Sequence, residues 1–186
     1  EASLSRFQAK ALVVGSFDHP NIVPVHEMVV SGEGELAFAM KLVSGRSWQE
    51  LLQSPEEDVQ AQGLAHHLGI LLSVCNAVEY AHSRHVTHND LKPENVMVGT
   101  FGEVLVMDWG LAMDFSDPPR SDSVAPHRST LPGPCGTPSY IAPELASGRG
   151  DGIGPWTDVF LLGAVLYELL TGKPPFVGAN LREVLS

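Results

Sequence analysis

Cysteine, basic residues and long apolar runs are all scarce in this chain of 186 residues. The two cysteines, Cys75 and Cys135, are too few for a disulfide-stapled secreted fold, and we expect two reduced thiols in a reducing compartment. Lysine and arginine total 11 against 22 acidic residues, and the net charge of −11 argues against a nucleic-acid-binding protein, which needs a basic face for phosphates. Polar residues interrupt every apolar run well before the roughly 20 residues that a membrane span requires, so we expect no membrane contact within this segment.

The composition that remains is that of a globular protein. Hydrophobic residues make up 44% of the chain, which is enough to bury one sizeable core. The chain begins with Glu1 rather than Met and ends at Ser186 in what reads as the start of a helix, so we expect a fragment of a longer protein.

Periodicity and turn residues predict a mixed order of helices and strands. Helices are predicted over 3–17, over a short segment capped by Ser47, over 62–84 and over 157–170, with Asp158 capping the last helix and Gly172 ending it. Strands are predicted over 22–30 and 35–42, joined by a turn at 31–34, and over 96–99 and 104–107. The proline-rich segment 114–136 has no periodicity and is predicted to be a mobile loop.

Four polar side chains stand close together between apolar runs. Asp90, Lys92 and Asn95 fall within six residues, and Asp108 follows thirteen residues after Asn95. A carboxylate can orient a hydroxyl and accept its proton, a lysine can offset phosphate charge, and amide and carboxylate oxygens suit a hard cation such as Mg²⁺. Together these residues indicate phosphoryl transfer to a hydroxyl.

Longer stretches around these residues resemble the eukaryotic-like serine/threonine protein kinases, and in particular bacterial members of that family. The stretch 88–97 is similar to the kinase catalytic loop, Asp108-Trp109-Gly110 to the metal-binding triplet, and 136–144 to the end of the activation segment. Residues 158–163 look like the start of the central helix of the large lobe, and 19–23 like the turn after the regulatory helix. The resemblance covers nearly the whole chain.

The resemblance implies a two-lobed α+β kinase fold. Residues 1–42 would form an incomplete small lobe with the regulatory helix and a hairpin, 43–46 the hinge, and 47–186 a large lobe truncated at its C-terminus. It also implies ATP and Mg²⁺ as cofactors, a protein with serine or threonine as substrate, and a cytoplasmic location, with any membrane anchor of the parent outside this segment.

The resemblance also assigns roles to individual residues. Asp90 would be the catalytic base, Lys92 would contact the transferred phosphate, and Thr137 would support the base and the acceptor pocket. Asn95 and Asp108 would bind the metal ion. The ATP-binding set would comprise Met40 behind the adenine, Lys41 C=O and Val43 N–H at its edge, Met97 under its ring, and Lys92, Asn95 and Asp108 at the phosphates.

Several positions depart from the family pattern. The chain contains neither a glycine-rich phosphate loop nor the strand lysine of a working kinase, and Lys10 stands where the regulatory helix should carry a glutamate. Either that alignment is shifted by a turn or the ion pair is absent. Asn89 replaces the arginine that receives a phosphorylated activation-loop residue, which predicts activity independent of that phosphorylation. The isolated fragment is therefore expected to be inactive, and a pseudokinase that serves as a binding module is the alternative, with a metal-dependent hydrolase as a third possibility.

Two further patterns have simpler interpretations. His82, His85 and His88 recur every third residue, but no cysteine or carboxylate completes a tetrahedral zinc set at helical spacing, so we expect them at a helix end and beneath the metal triplet. The hydroxyl groups of the 114–136 loop are either phosphorylation sites or solvated polar residues, and the sequence leaves both interpretations open; they belong to Ser116, Ser121, Ser123, Ser129 and Thr130.

Overall fold

A computed structural model of the chain describes residues 12–30, 36–54, 63–178 and 181–184. Within these residues the strands are β1 Val25–Val30, β2 Leu36–Met40, β3 Gly45–Ser47, β4 Val86–Thr87, β5 Val96–Gly99, β6 Val104–Val106 and β7 Met113–Asp114. The α-helices are α1 Trp48–Leu52, α2 Gly63–Ser83, α3 Pro143–Ala146, α4 Pro155–Thr171 and α5 Leu181–Val184. Short 3₁₀ helices lie at Pro93–Asn95, Arg128–Thr130 and Gly150–Gly152. The predicted α+β class is confirmed.

The hairpin predicted near the start of the chain is present. Strands β1 and β2 pair antiparallel, from Val25 opposite Met40 to Val30 opposite Leu36. The predicted turn at 31–34 lies outside the described residues. So does Lys10, together with most of the helix predicted over 3–17, of which residues 12–15 are described and helical.

Helix α1 begins where its cap was predicted. The Ser47 hydroxyl accepts a hydrogen bond from Glu50 N–H at 3.2 Å, and the Glu50 carboxylate accepts one from Ser47 N–H at 2.7 Å. This capping box provides acceptors for backbone N–H groups that have no partner within the first turn of the helix. Such a cap stabilises the folded protein by about 1 kcal/mol. Trp48 follows the cap, is buried, and donates from Nε1 to His67 Nδ1 at 3.0 Å, which attaches α1 to α2.

Helices α2 and α4 pack together and form the centre of the core. The buried side of α2 consists of Ile70, Leu71, Val74, Ala77, Val78 and Ala81, which recur at intervals of three and four residues. Two leucines of this helix, Leu64 and Leu72, lie away from the core and are 46% and 65% exposed. At about 100° per residue, Leu72 lies on the opposite side of the helix from Val74.

A three-stranded sheet with the order β3-β5-β6 carries the segment that follows the catalytic loop. Gly45, predicted to lie in the hinge, begins β3 opposite Gly99, and a Cβ at position 45 would collide with the carbonyl oxygen of Val98. The predicted 96–107 hairpin is present as β5 and β6. Backbone hydrogen bonds join Val106 of β6 to Asn21 and Val23, at 2.8 and 3.2 Å, and so tie the sheet to the chain before β1.

Helix α4 begins two residues earlier than predicted. Its N-cap is Gly154, whose N–H donates to the Thr157 hydroxyl at 3.2 Å, so the prediction that Asp158 caps the helix is wrong. The helix ends as predicted at Gly172, whose φ of +75° requires a residue without a Cβ or tolerant of the left-handed region. One side of α4 is buried, whereas the large apolar side chains of Trp156, Val159 and Leu170 are exposed among the described residues.

Candidate active site

The stretch 88–95 is a loop between β4 and β5 whose start is fixed by a buried carboxylate. Asp158 of α4 is 0% exposed, and its two oxygens accept hydrogen bonds from His88 N–H at 2.8 Å and Asn89 N–H at 2.9 Å. Its Oδ2 also lies 2.8 Å from Nε2 of His82. The sequence does not predict this role, because an acid near the start of a helix is expected to cap that helix. An acid in an otherwise apolar, central helix was the available signal, since a buried charge needs partners.

The structure brings together the four residues predicted to act in catalysis. The Thr137 hydroxyl donates to Asp90 Oδ1 at 2.7 Å and accepts from Lys92 Nζ at 2.6 Å. Asn95 donates from Nδ2 to the Asp90 carbonyl at 2.8 Å and to Asp90 Oδ2 at 3.2 Å. Thr137 is 47 residues from Asp90 in the sequence, so tertiary folding alone places it here.

Lys92 and Asp90 form a close ion pair at the surface of this cluster. Lys92 Nζ lies 3.5 Å from Asp90 Oδ2, and the two side chains are 20% and 15% exposed. The Asp90 carboxylate has one oxygen bonded to a hydroxyl and the other beside an ammonium, and in this position it can accept a proton. The Lys92 ammonium can at the same time bind an anionic group such as a phosphate. The exposed fraction leaves room for a reactant to approach.

Asp108 lies beside this cluster through a backbone contact. Met107 N–H donates to the Asn95 carbonyl at 2.8 Å, which brings the end of β6 against the 3₁₀ turn that carries Asn95. Asp108 is exposed and has a φ of +54°, a conformation that few residues adopt and that Asp and Asn tolerate best after glycine. The residue before Asp108 is thus bonded through its backbone to Asn95, which brings the two predicted metal ligands into neighbouring segments.

Aromatic rings hold the Asp108-Trp109-Gly110 turn from behind. Trp109 is buried, and its ring lies 4.6 Å from the ring of His88 and 5.0 Å from that of Phe17. Phe17 in turn contacts Tyr80 of α2 edge to face at 5.8 Å. His88 therefore packs beneath the triplet as predicted. Trp109 contacts His88 of the catalytic loop on one side and Phe17, near the start of the described chain, on the other.

A family model described as "Protein kinase domain" matches residues 3–185. The chain belongs to the protein kinase family. The matched range includes the catalytic loop, the Asp-Trp-Gly turn and the activation segment, and the predicted resemblance is confirmed.

Three bacterial proteins are among the curated relatives of this kinase domain. PknD of Protochlamydia amoebophila, named a serine/threonine-protein kinase, is 33% identical over 196 aligned residues, which cover 96% of this chain and 20% of that protein. The PknD of Chlamydia caviae, with the same description, is 35% identical, with 92% of this chain and 20% of the relative covered. PknB of Mycobacterium leprae, also named a serine/threonine-protein kinase, is 33% identical, with 93% and 26% covered. The chain thus spans a fifth to a quarter of the length of these relatives.

The predicted adenine-binding residues belong to two sheets and the segment between them. Met40 ends β2, and Lys41 follows it with its N–H donating to the Pro24 carbonyl at 3.0 Å. Val43 precedes β3, and Met97 on β5 pairs directly with Ser47 of β3. The hinge segment and the strand after the catalytic loop are therefore joined by one sheet, whereas the nucleotide contacts of these residues stay predictions.

A second buried carboxylate supports the activation segment of the kinase. Glu168 of α4 is 7% exposed and accepts a hydrogen bond at 2.5 Å from the hydroxyl of Tyr140. Burial raises the pKa of the Glu168 carboxyl, and the charge of Glu94 adds to this. Burial and the neighbouring Glu168 also raise the pKa of Tyr140, so its hydroxyl remains a donor. Sequence reasoning missed this pair, which is 28 residues apart and follows no local pattern.

The remaining predictions about sites can be compared with the described part of the chain. There, no group of three or more His, Cys, Asp or Glu side chains could hold a metal ion. Cys75 and Cys135 form no disulfide. No described helix has the length and apolar content needed to cross a membrane.

Proposed function

We propose that the protein containing this kinase domain transfers the γ-phosphoryl group of ATP to serine or threonine hydroxyls of proteins. The observation that carries the proposal is the cluster of Asp90, Lys92 and Thr137, in which a carboxylate, an ammonium and a hydroxyl lie within 3.5 Å of one another. The names of the bacterial relatives as serine/threonine-protein kinases agree with it. They give no support to the pseudokinase alternative.

Asn95 and Asp108 fit a magnesium ion. The nitrogen end of the Asn95 amide contacts Asp90, which directs its oxygen end elsewhere, and Asp108 provides an exposed carboxylate on the adjacent turn. Mg²⁺ is commonly held by one or two protein oxygens, with phosphate and water completing its coordination. When bound, the ion would neutralise charge on the nucleotide phosphates.

Each residue of the cluster has a distinct task in the transfer. Asp90 orients the acceptor hydroxyl and accepts its proton as the oxygen attacks phosphorus and the bond to ADP breaks. Lys92 stabilises the charge on the transferred group. Thr137 fixes the Asp90 carboxylate and the Lys92 ammonium relative to each other through its two hydrogen bonds.

The nucleotide would be held at its other end by the hinge. In this proposal Lys41 C=O and Val43 N–H bond the adenine edge, Met40 closes the pocket behind it, and Met97 packs under the ring. The pairing of β3 with β5 supports this arrangement, because it joins the hinge to the strand that carries Met97. The division into a small lobe over 1–42, a hinge over 43–46 and a large lobe over 47–186 is part of the same proposal.

The proposed activity and the composition of the chain indicate which partners the protein binds and where in the cell it acts. The substrate is a protein with an accessible serine or threonine, and the net charge of −11 disfavours nucleic acid as a partner. The cysteines without a disulfide support a reducing, cytoplasmic location.

Replacement of Asp90 tests the proposal. Full-length protein is incubated with labelled ATP, Mg²⁺ and a generic protein substrate, and Asp90→Asn should lower kcat by about 100-fold or more, because it removes the proton acceptor. Asp122→Asn is the control, since this carboxylate is 74% exposed and pairs with Arg120 away from the cluster. Equal phosphate incorporation by wild type and Asp90→Asn would reject the role of Asp90, and nucleotide binding without transfer by wild type would favour a pseudokinase.

A further inference from the structure

Asn89 bridges two parts of the site that are distant in sequence. Its side chain is 0% exposed, and its Nδ2 donates to the carbonyl of Leu111 at 2.8 Å while its backbone N–H donates to Asp158 at 2.9 Å. The acceptor fixes the orientation of the amide, because only the nitrogen end can donate to a carbonyl oxygen. Asn89 therefore connects the catalytic loop to the chain just after the Asp-Trp-Gly turn, 22 residues later.

The backbone at this position restricts which residues fit. Asn89 has a φ of +66°, in the left-handed region that Asn adopts more readily than other residues with a Cβ, apart from Asp. A side chain here must also be short enough to remain buried and must offer a donor to Leu111. Asparagine meets these requirements without carrying a charge into a buried site.

The hydrogen bond to Leu111 acts on the turn that presents Asp108. Ala112 N–H donates to the Trp109 carbonyl at 3.2 Å, so the chain folds back on itself between Trp109 and Ala112. Holding Leu111 inside this fold limits the movement of Gly110 and of the carboxylate that precedes it. On its other side the turn is held by the ring contact between Trp109 and His88, whose N–H is bound to the same buried Asp158.

We propose that Asn89 is a positioning residue, which holds the Asp108-Trp109-Gly110 turn against the catalytic loop so that Asp108 is preorganised for a metal–nucleotide complex. The proposal rests on the proposed function for the identity of that complex. The tether joins two neutral groups, whereas recognition of a phosphorylated residue requires a cation. The turn is thus held whether or not the activation segment carries a phosphate.

The decisive variant is Asn89→Gly in the full-length protein, because glycine accepts the positive φ and removes only the side chain. His85→Gly is the matched control. His85 also has a positive φ, of +63°, and is exposed, so this change alters the same kind of backbone position without touching Leu111. If Asn89→Gly does not fold, Asn89→Ser serves instead, since its hydroxyl is too short to reach Leu111.

Two measurements test the tether without requiring turnover. Hydrogen exchange of the peptide spanning 108–113 should become faster in Asn89→Gly than in wild type or His85→Gly. The Leu111 carbonyl loses its donor, so the turn closed by the hydrogen bond from Ala112 N–H to the Trp109 carbonyl opens more often. The Mg²⁺ concentration that half-saturates ATP binding should rise about five- to tenfold in Asn89→Gly and remain unchanged in His85→Gly, as expected for the loss of one buried hydrogen bond.

The outcomes separate this inference from the proposed function. Unchanged exchange in Asn89→Gly would overturn the tether, and faster exchange with an unchanged Mg²⁺ requirement would overturn its positioning role. Phosphate transfer by wild type is measured separately. If both shifts occur and wild type transfers no phosphate to protein, the proposed function fails while the positioning role stands.

Discussion

Replacing Thr137 with valine would remove the hydroxyl that joins Asp90 to Lys92 while leaving the shape of the side chain nearly unchanged. The hydroxyl donates to the carboxylate at 2.7 Å and accepts from the ammonium at 2.6 Å, so both hydrogen bonds involve a charged partner. Such bonds are each worth about 1.5–3 kcal/mol when shielded from water. The Asp90 and Lys92 side chains are 15% and 20% exposed, so water replaces part of what the hydroxyl provided.

We therefore take the low end of that range and expect Thr137→Val to lose about 1.5–2 kcal/mol of transition-state stabilisation, which corresponds to about a 10- to 30-fold lower kcat. The bond lost is one that orients the base, so KM for ATP should change little. Thr137→Ser keeps the hydroxyl and is the control, with kcat expected within about threefold of wild type. The assay is steady-state phosphoryl transfer by full-length protein at saturating Mg²⁺. A valine variant whose kcat falls no further than that of the serine variant would refute this reasoning.

Two other predictions concern the buried carboxylates of α4. Asp158→Ala should lower the free energy of unfolding by about 3–5 kcal/mol, because it leaves the buried N–H groups of His88 and Asn89 without an acceptor. Urea denaturation followed by circular dichroism measures this free energy. A loss no larger than that of the exposed control Asp122→Ala would contradict the prediction. In the folded protein the pKa of Glu168 lies above its usual 4.5. Between pH 4.5 and that raised pKa, the folded state binds more protons than the unfolded state. The contribution of Glu168 to the free energy of unfolding therefore falls as the pH rises through this range. Glu168→Gln should remove this decline, which is read as the difference between the two stability–pH curves, and parallel curves would show that the shift is absent.

Local patterns were sufficient for the elements that they encode. The Ser47 cap, the glycine that ends α4 and the two short strands of the 96–107 hairpin depend on neighbours within a few residues, and each is found where it was predicted. The catalytic loop was recognisable for the same reason, since Asp90 and Asn95 are close in sequence.

Contacts between distant residues were not predictable in this way. Asp158 serves backbone groups 69 and 70 residues away, and no spacing rule links a helix residue to a loop that far upstream. Its neighbours in the sequence suggest that Asp158 caps the helix, whereas in the structure it accepts hydrogen bonds from the distant catalytic loop. The exposed Leu72 shows a second limit of sequence patterns, because a helix rich in leucine does not by itself indicate which of its sides packs against the core.

The position of Trp109 between two other rings has a consequence for spectroscopy. The chain has three tryptophans, of which Trp48 is buried beside α2 and Trp156 is 59% exposed. Trp109 alone sits within the turn that follows Asp108, between the rings of His88 and Phe17. If the other two tryptophans of this chain were replaced, Trp109 would be its single indole, beside the candidate metal site, and the indole emission would report on the surroundings of that turn without any attached label.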